Sequence, residues 1–345
     1  ILGPTAQIRN NTSVVSMALM NGNLGPSGNF SKNFRASYAG LFDPRQKTKY
    51  AETLAEGIEQ DLVRGKAVEL EEFADLATFA SNDIKLLSDL KASSVGEVIS
   101  KIKGVPERAY TGADNAARLI NYDGEKFKLG KVFAKESDDA MIPINSGINI
   151  SDPQMQQFIK TSKDKGSIGR PVVNLGELRA AGDDVVNKFL QRESSDIALN
   201  VTPTYSRVPE IVRALKYAPV IGNFTAFPAE IIRNTANTLE RAIIELTSNS
   251  VELQKVGMRR LTGALTTTVG LPAGLTATAL TLTGAEQEQI DAYRRSFAAP
   301  WERTATLIPT GTDGDGNITG FYNFSYTNPY EFLLRPVQAV VNAYE

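Results

Sequence analysis

"PVIGNFTAFPAEIIRNTANTLERAIIEL", Pro219 to Leu246, is the stretch on which the reading of this chain turns. After Pro228 it carries Ile232, Ala236, Leu239, Ile243 and Leu246 at alternating four- and three-residue spacing. That is the period of a helix with one apolar stripe, in the heptad-like pattern of a helix that packs on another helix. Gly222–Asn223 reads as a turn. Pro228 reads as part of the first helical turn, where its fixed φ fits and its missing N–H is no loss. Glu230 falls in the same turn, where negative charge favours the helix N-terminus. Arg241 and Glu245 lie one turn apart and are expected on the outside. The stripe is expected to face a core, with a partner helix as the sharper alternative.

Downstream, "LTGALTTTVGLPAGLTATALTLTGA", Leu261 to Ala285, contains no charge, between Arg259–Arg260 and Glu286. Twenty-five uncharged residues are long enough to span a bilayer as a helix. Eight of them are Thr, four are Gly, and Pro272 sits mid-run, so the run is less apolar than an ordinary anchor. Gly270 and Gly274 form a small-xxx-small pair that permits close helix approach. The readings are a buried helix, broken or kinked at Pro272, or a conditional membrane segment marked by Leu261, Leu265, Gly270, Pro272, Gly274, Leu275 and Leu280. Beyond it, Thr306–Pro309 and Thr319–Tyr326 read as the strands of a β-hairpin around a Gly/Asp turn. Asp313, Asp315 and Asn317 mimic the start of a calcium loop. Ile318 and Phe324 stand where its Gly and Glu belong, so the segment reads as a turn. "NPYEFLLRPVQAVVNAYE" reads as a short helix interrupted near Pro336.

Upstream, the Pro-rich "VTPTYSRVPEIVRALKYAPV" marks a junction with a short helix from Pro209 to about Tyr217. "LGELRAAGDDVVNKFLQRESSDIALN" is helical. Residues 137–177 are mixed and loop-rich, with "DPQMQQFIKTSKDKG" expected as a short helix. "TGADNAARLINYDGEKFKLGKVFAKE" reads as one or two helices broken near Asp123–Gly124, and "SSVGEVISKIKG" as a compact helix with a Gly stop. Lys47 to Leu90 has helical periodicity with a solvated charged face. "TAQIRNNTSVVSMALM" predicts a short helix, and "MNGNLGPSGNFSKNF" a long loop. The fold class expected is mainly α: an elongated multi-helix body with long irregular segments and one small β-hairpin near the C-terminus. Its parts are 1–44, an irregular arm with a short helix; 45–200, a helical region; 201–300, the junction, long helix and charge-free run; and 301–345, hairpin and terminal helix.

The composition narrows the chemistry. With no His and no Cys there is no Ser-His-Asp triad, thiolate metal site, disulfide or Cys nucleophile. The 37 basic and 39 acidic residues nearly cancel, unlike the footprint of a dedicated nucleic-acid binder. No P-loop, GxGxxG turn or HExxH helix is present. Asp138–Asp139 and Asp183–Asp184 read as solvated acids. Arg294, Arg295, Phe297 and Trp301 form an aromatic anchor or, less simply, a base-stacking patch. No catalytic residue, cofactor or metal ligand is assigned. The chain begins "ILGPTAQIRN" without Met and is expected to be part of a longer polypeptide.

Several blocks together resemble a known family. "PVIGNFTAFPAEIIRNTANTLERAIIEL", "GMRRLTGAL", "FAAPWERTATLIPTG" and "FYNFSYTNPYEFLLRP" follow one another as in the C-terminal region of very large internal virion proteins of short-tailed double-stranded DNA phages. "GPTAQIRNNTSVVSMALMNGN" and "YTGADNAARLINYDGE" resemble further elements of those proteins. The resemblance spans most of Ile1 to Pro336 as scattered blocks without a catalytic signature. It implies a structural core or ejection protein, packed under the portal, that leaves before the DNA and helps build a conduit across the host envelope. Implied partners are further copies of the chain, other core or portal proteins, genomic DNA bound without sequence preference, and host membrane after ejection. The alternatives are a non-catalytic scaffold segment of a virion transglycosylase or RNA polymerase, or a capsid or tail module that stays in the particle.

Overall fold

The computed structural model describes residues 4–42, 94–145, 156–163, 169–203, 222–299 and 302–333. The helical readings of Lys47–Leu90, Pro209–Tyr217 and the segment around Pro336 lie outside the described residues. The described chain is mainly helical. In order it forms α1 (Pro4–Met20), α2 (Phe30–Phe42), α3 (Ser94–Lys135), β1 (Met141–Pro143), β2 (Ile159–Thr161), β3 (Pro171–Asn174), α4 (Leu175–Ala180), α5 (Asp183–Val201), α6 (Gly222–Leu246), α7 (Val251–Leu265), α8 (Leu271–Thr283), α9 (Gln287–Ser296), β4 (Leu307–Thr312) and β5 (Ile318–Asn323). A π-helical turn, Thr266–Gly270, joins α7 to α8.

The hairpin forms as expected, β4 and β5 pairing antiparallel with Ile308 opposite Tyr322. Asp313 shapes its turn as an acceptor, from the N–H groups of Asp315 at 3.0 Å and Asn317 at 2.8 Å. A second sheet, order β1-β3-β2, was not expected, and it includes Ile159–Thr161 from the stretch read as a short helix. Its buried Ile142 and Val173 share a core with Phe133 of α3, Phe189 of α5, and Leu253 and Val256 of α7.

Other expectations change. The break near Asp123–Gly124 does not occur, since α3 runs through it for 42 residues. Gly124 serves close packing instead: a Cβ there would stand 2.3 Å from Asn23 Oδ1. The segment 175–200, read as helical, forms two helices, divided where Gly182 takes φ 103°. The long loop after α1 is shorter than expected, because α2 begins at Phe30. α6 begins at Gly222, which leaves Pro228 and Glu230 in its second and third turns instead of the first. Finally, one apolar cluster unites Val14 and Met17 of α1, Ala116 and Ile120 of α3, Ile231 of α6, Ala264 of α7 and Tyr330 beyond the hairpin.

Candidate functional site

Two features stand out, and both meet on α7. The first is a chain of buried charges. Arg260, fully buried, forks onto two carboxylates: Nη2 lies 2.7 Å from Glu125 Oε2 and 2.9 Å from Glu245 Oε1, and Nε donates to Glu245 Oε2 at 3.0 Å. Lys128 Nζ extends the chain at one end, 2.7 Å from Glu125 Oε1, and also donates to Asn21 O at 3.0 Å. At the other end Arg241 Nε donates to Glu245 Oε1 at 2.9 Å, and its Nη1 lies 3.1 Å from Glu193 Oε1. Signs therefore alternate along Lys128, Glu125, Arg260, Glu245, Arg241 and Glu193, none of them more than 4% exposed.

The α1–α2 loop closes over this chain. Asn23 Nδ2 donates to Glu125 Oε1 at 3.0 Å and to Asn121 Oδ1 at 2.9 Å, while Thr238 Oγ1 donates to Asn21 Oδ1 at 3.1 Å. Glycines let the backbones approach. A Cβ at Gly257 would lie 2.8 Å from Leu246 N, and one at Gly263 only 2.2 Å from Leu19 O. Burial alone would raise the Glu125 carboxyl, but Arg260 and Lys128 outweigh it and hold it well below the usual carboxylate range. Burial, reinforced by the charge of Arg260, pushes Lys128 down to about 8 against the pull of Glu125 and Glu245.

These groups correct the sequence reading. Arg241 and Glu245 are buried, not outside. The stripe does not face this chain's core: Ile232 is 50% exposed, Leu239 38% and Ile243 57%, Ala236 is exposed and Leu246 half-buried. The face that packs is Glu230, Ile231, Asn234, Thr238, Arg241, Ala242 and Glu245. Both faces have helical period, but only the second carries partners for α1, α3 and α7. Of the buried ions, the i, i+4 pair Arg241–Glu245 is singled out in the sequence, and Glu125–Lys128 at i, i+3 carries a similar signal. Arg260 and Glu125 are 135 residues apart.

The second feature is the uncharged run. Val251–Thr283 is long and apolar enough to cross a membrane, yet little of its most apolar window is buried. From Leu261 to Thr283 it is about 35 Å long at 1.5 Å per residue, against about 30 Å of bilayer hydrocarbon. Among the residues marking the segment, Pro272 is buried, Leu261 and Leu280 are half-buried, and Leu265, Gly270, Gly274 and Leu275 are exposed. Five threonines turn their hydroxyls back on carbonyls one turn earlier. Thr267 donates to Gly263 O, Thr268 to Ala264 O and Thr278 to Gly274 O at 2.8 Å, Thr281 to Ala277 O at 2.9 Å, and Thr283 to Ala279 O at 2.7 Å. Their polarity is thus met within the helix.

Pro272 neither splits nor ends the run. The π turn absorbs it: the Leu271 N–H reaches back five residues to Thr266 O. In that pattern the proline's missing N–H would have served Thr267 O. Asn328 Nδ2 does so instead at 3.0 Å, from the segment beyond the hairpin. At the far end Gly284 caps α8 in the left-handed region at φ 70°, and Thr312 Oγ1 of β4 donates to Thr283 O at 2.8 Å. Of the Arg/aromatic patch, Arg294 bonds Asp291 and Ala305 O, Phe297 is 80% exposed, and Trp301 lies outside the described residues. Among the described residues no group of His, Cys, Asp or Glu could hold a metal ion. Comparison with known proteins finds no matching family model, curated protein or solved structure.

Proposed function

We propose that this chain is a structural internal virion protein of a tailed phage, packed in the core near the portal, that helps form a conduit for genome ejection across the host envelope. The observation that carries this reading is the helix Val251–Thr283: uncharged from Leu261 onward, largely exposed, and with five of its threonine hydroxyls bonded inside the helix. Such a surface suits packing against protein in the particle and contact with lipid afterwards. The order of the resembling sequence blocks supports the same role. Copies of the chain and other core or portal proteins are the partners proposed, with non-specific DNA contact in the particle and host membrane after ejection. The exposed stripe of α6 offers a seam for the first of these. No catalysis is proposed for this segment.

The test is vesicle leakage and protease protection by the oligomeric protein, compared with a Leu265→Arg, Leu275→Arg double variant. Both positions are exposed, so the fold should tolerate the change. An arginine near mid-span costs about 2.5–3.5 kcal/mol on insertion scales. The variant should therefore lose leakage and protection together. Equal leakage by both proteins, or none by the oligomeric wild type, would remove the membrane role.

A further inference from the structure

The buried charge chain has two unlike ends. Lys128 ends it with its ammonium held by Glu125 and the Asn21 carbonyl. Glu193 ends it with a carboxylate that, among the described residues, meets one cation. Its Oε1 accepts from the Asn145 N–H at 2.8 Å and lies 3.1 Å from Arg241 Nη1, while its Oε2 has no hydrogen-bond partner. Glu125 and Glu245, by contrast, each contact two cations. Neither Nη of Arg241 is hydrogen-bonded.

Among the described residues, Arg241 is the cation whose charge acts on Glu193. On its own helix Asp196, one turn on, repels a second negative charge. From α3 Glu125 adds further repulsion. Arg118 of α3 reaches Pro203 O instead, and Arg233 of α6 reaches the carbonyls of Leu199, Asn200 and Thr202. Arg260 of α7 is taken by Glu125 and Glu245. A small crevice lies against Asn145 and Arg241, the two groups that meet Glu193 Oε1. It holds ≈ 20 Å³, room for about one water, and is lined by Asn145, Asn200, Asn237, Arg241 and the exposed Glu240.

We propose that Glu193 is a proton-binding joint: below neutral pH it takes up a proton through this crevice, and the neutral form seats α5 more firmly on the α6–α7 pair. In the charged form a carboxylate oxygen is buried without a partner and faces two other acids. Protonation removes that cost and leaves Arg241 bound to Glu245. In keeping with this geometry, burial pushes Glu193 up to about 7, with the charge of Arg241 only partly offsetting it. The folded value lies above the ordinary 4.5, so the folded chain binds more protons between the two. Stability from this group is therefore fully present below about 4.5 and is lost as pH rises through about 7.

The composition makes the test clean. With no His and no Cys, no side chain of ordinary pKa titrates between pH 5 and 8, and any α-amino contribution is common to wild type and variant. Lys128 acts with the opposite sign and at higher pH, since its folded value of about 8 lies below the ordinary 10.5. Denaturant unfolding is followed from pH 8 to pH 6 for wild type and Glu193→Gln. The wild-type unfolding constant should fall by up to tenfold per pH unit, the limit for one proton. The variant should lose that slope and be the more stable of the two at pH 8. Infrared spectra of the folded wild type over the same range should gain one protonated carboxyl band, a readout that does not require the variant to fold. Parallel slopes in the two proteins, or no new carboxyl band, would overturn the proposal.

Discussion

The helix that runs from Val251 to Thr283 passes through two regimes. In its first half Arg260 is fully buried and shared by Glu125 and Glu245, and Gly263 lies against the backbone of α1. Its second half has no charge at all, yet Leu282 is 80% exposed and nothing lies within 4 Å of a Cβ at Gly274. The usual partition puts charge in water and apolar groups inside. Here charge is inside, where helices from distant parts of the chain satisfy it. Uncharged surface is outside, where threonines have turned their hydroxyls onto their own helix. Buried ions demand particular partners, so the first half is locked to one arrangement. The second half makes few such demands and suits more than one environment.

The largest effect should come from breaking the charged half. Arg260→Met would leave two carboxylates buried without their shared cation and should cost about 3–5 kcal/mol in denaturant unfolding. Adding Glu245→Gln should recover much of that loss, because it leaves the two neutral pairs Lys128–Glu125 and Arg241–Glu193, and an uncompensated charge, not a missing contact, is the penalty. Acid should act on the same place. The Glu125 carboxyl is depressed in the folded chain, so its contribution is present above the ordinary 4.5 and is lost as pH falls below it.

A matched glycine pair sharpens the contrast. Gly263→Ala should destabilise by about 1–3 kcal/mol, since the new methyl has no room beside Leu19 O. Gly274→Ala should stabilise by up to about 1 kcal/mol through helix propensity alone. Thermal melts of both variants, with opposite signs, are the check. Smaller still is the effect expected at the stripe. Leu239→Asp with Ile243→Asp should change folding stability by about 0.5 kcal/mol or less per site, because both side chains are exposed. Sedimentation should nonetheless report weakened self-association if the stripe is a seam between copies. Glu240→Ala should be nearly silent, losing one exposed ion pair with Arg170 at 3.3 Å, a contact of about 0.2–1 kcal/mol.

Much of this architecture is legible in the residues themselves. The helices α5 and α6 are legible in the sequence, α6 from its periodicity, and the Gly/Asp turn at 313–317 identifies the hairpin. The absence of charge marks Leu261–Ala285, and the absence of His and Cys removes whole classes of chemistry. These are local properties, written in spacings of two to four residues. Which face of α6 packs inward is not local. Period alone groups Ile232 with Leu239 and Ile243, and equally groups Ile231 with Thr238 and Glu245. The choice fell to the polar face because the α1–α2 loop, α5 and α7 bring it Asn21, Glu193 and Arg260. The fate of Pro272 was likewise decided at a distance, by an asparagine 61 residues from the carbonyl it serves. A helical repeat determines which side chains share a face. Only the tertiary structure supplies the partners that make a buried charge tolerable or leave an apolar stripe in water.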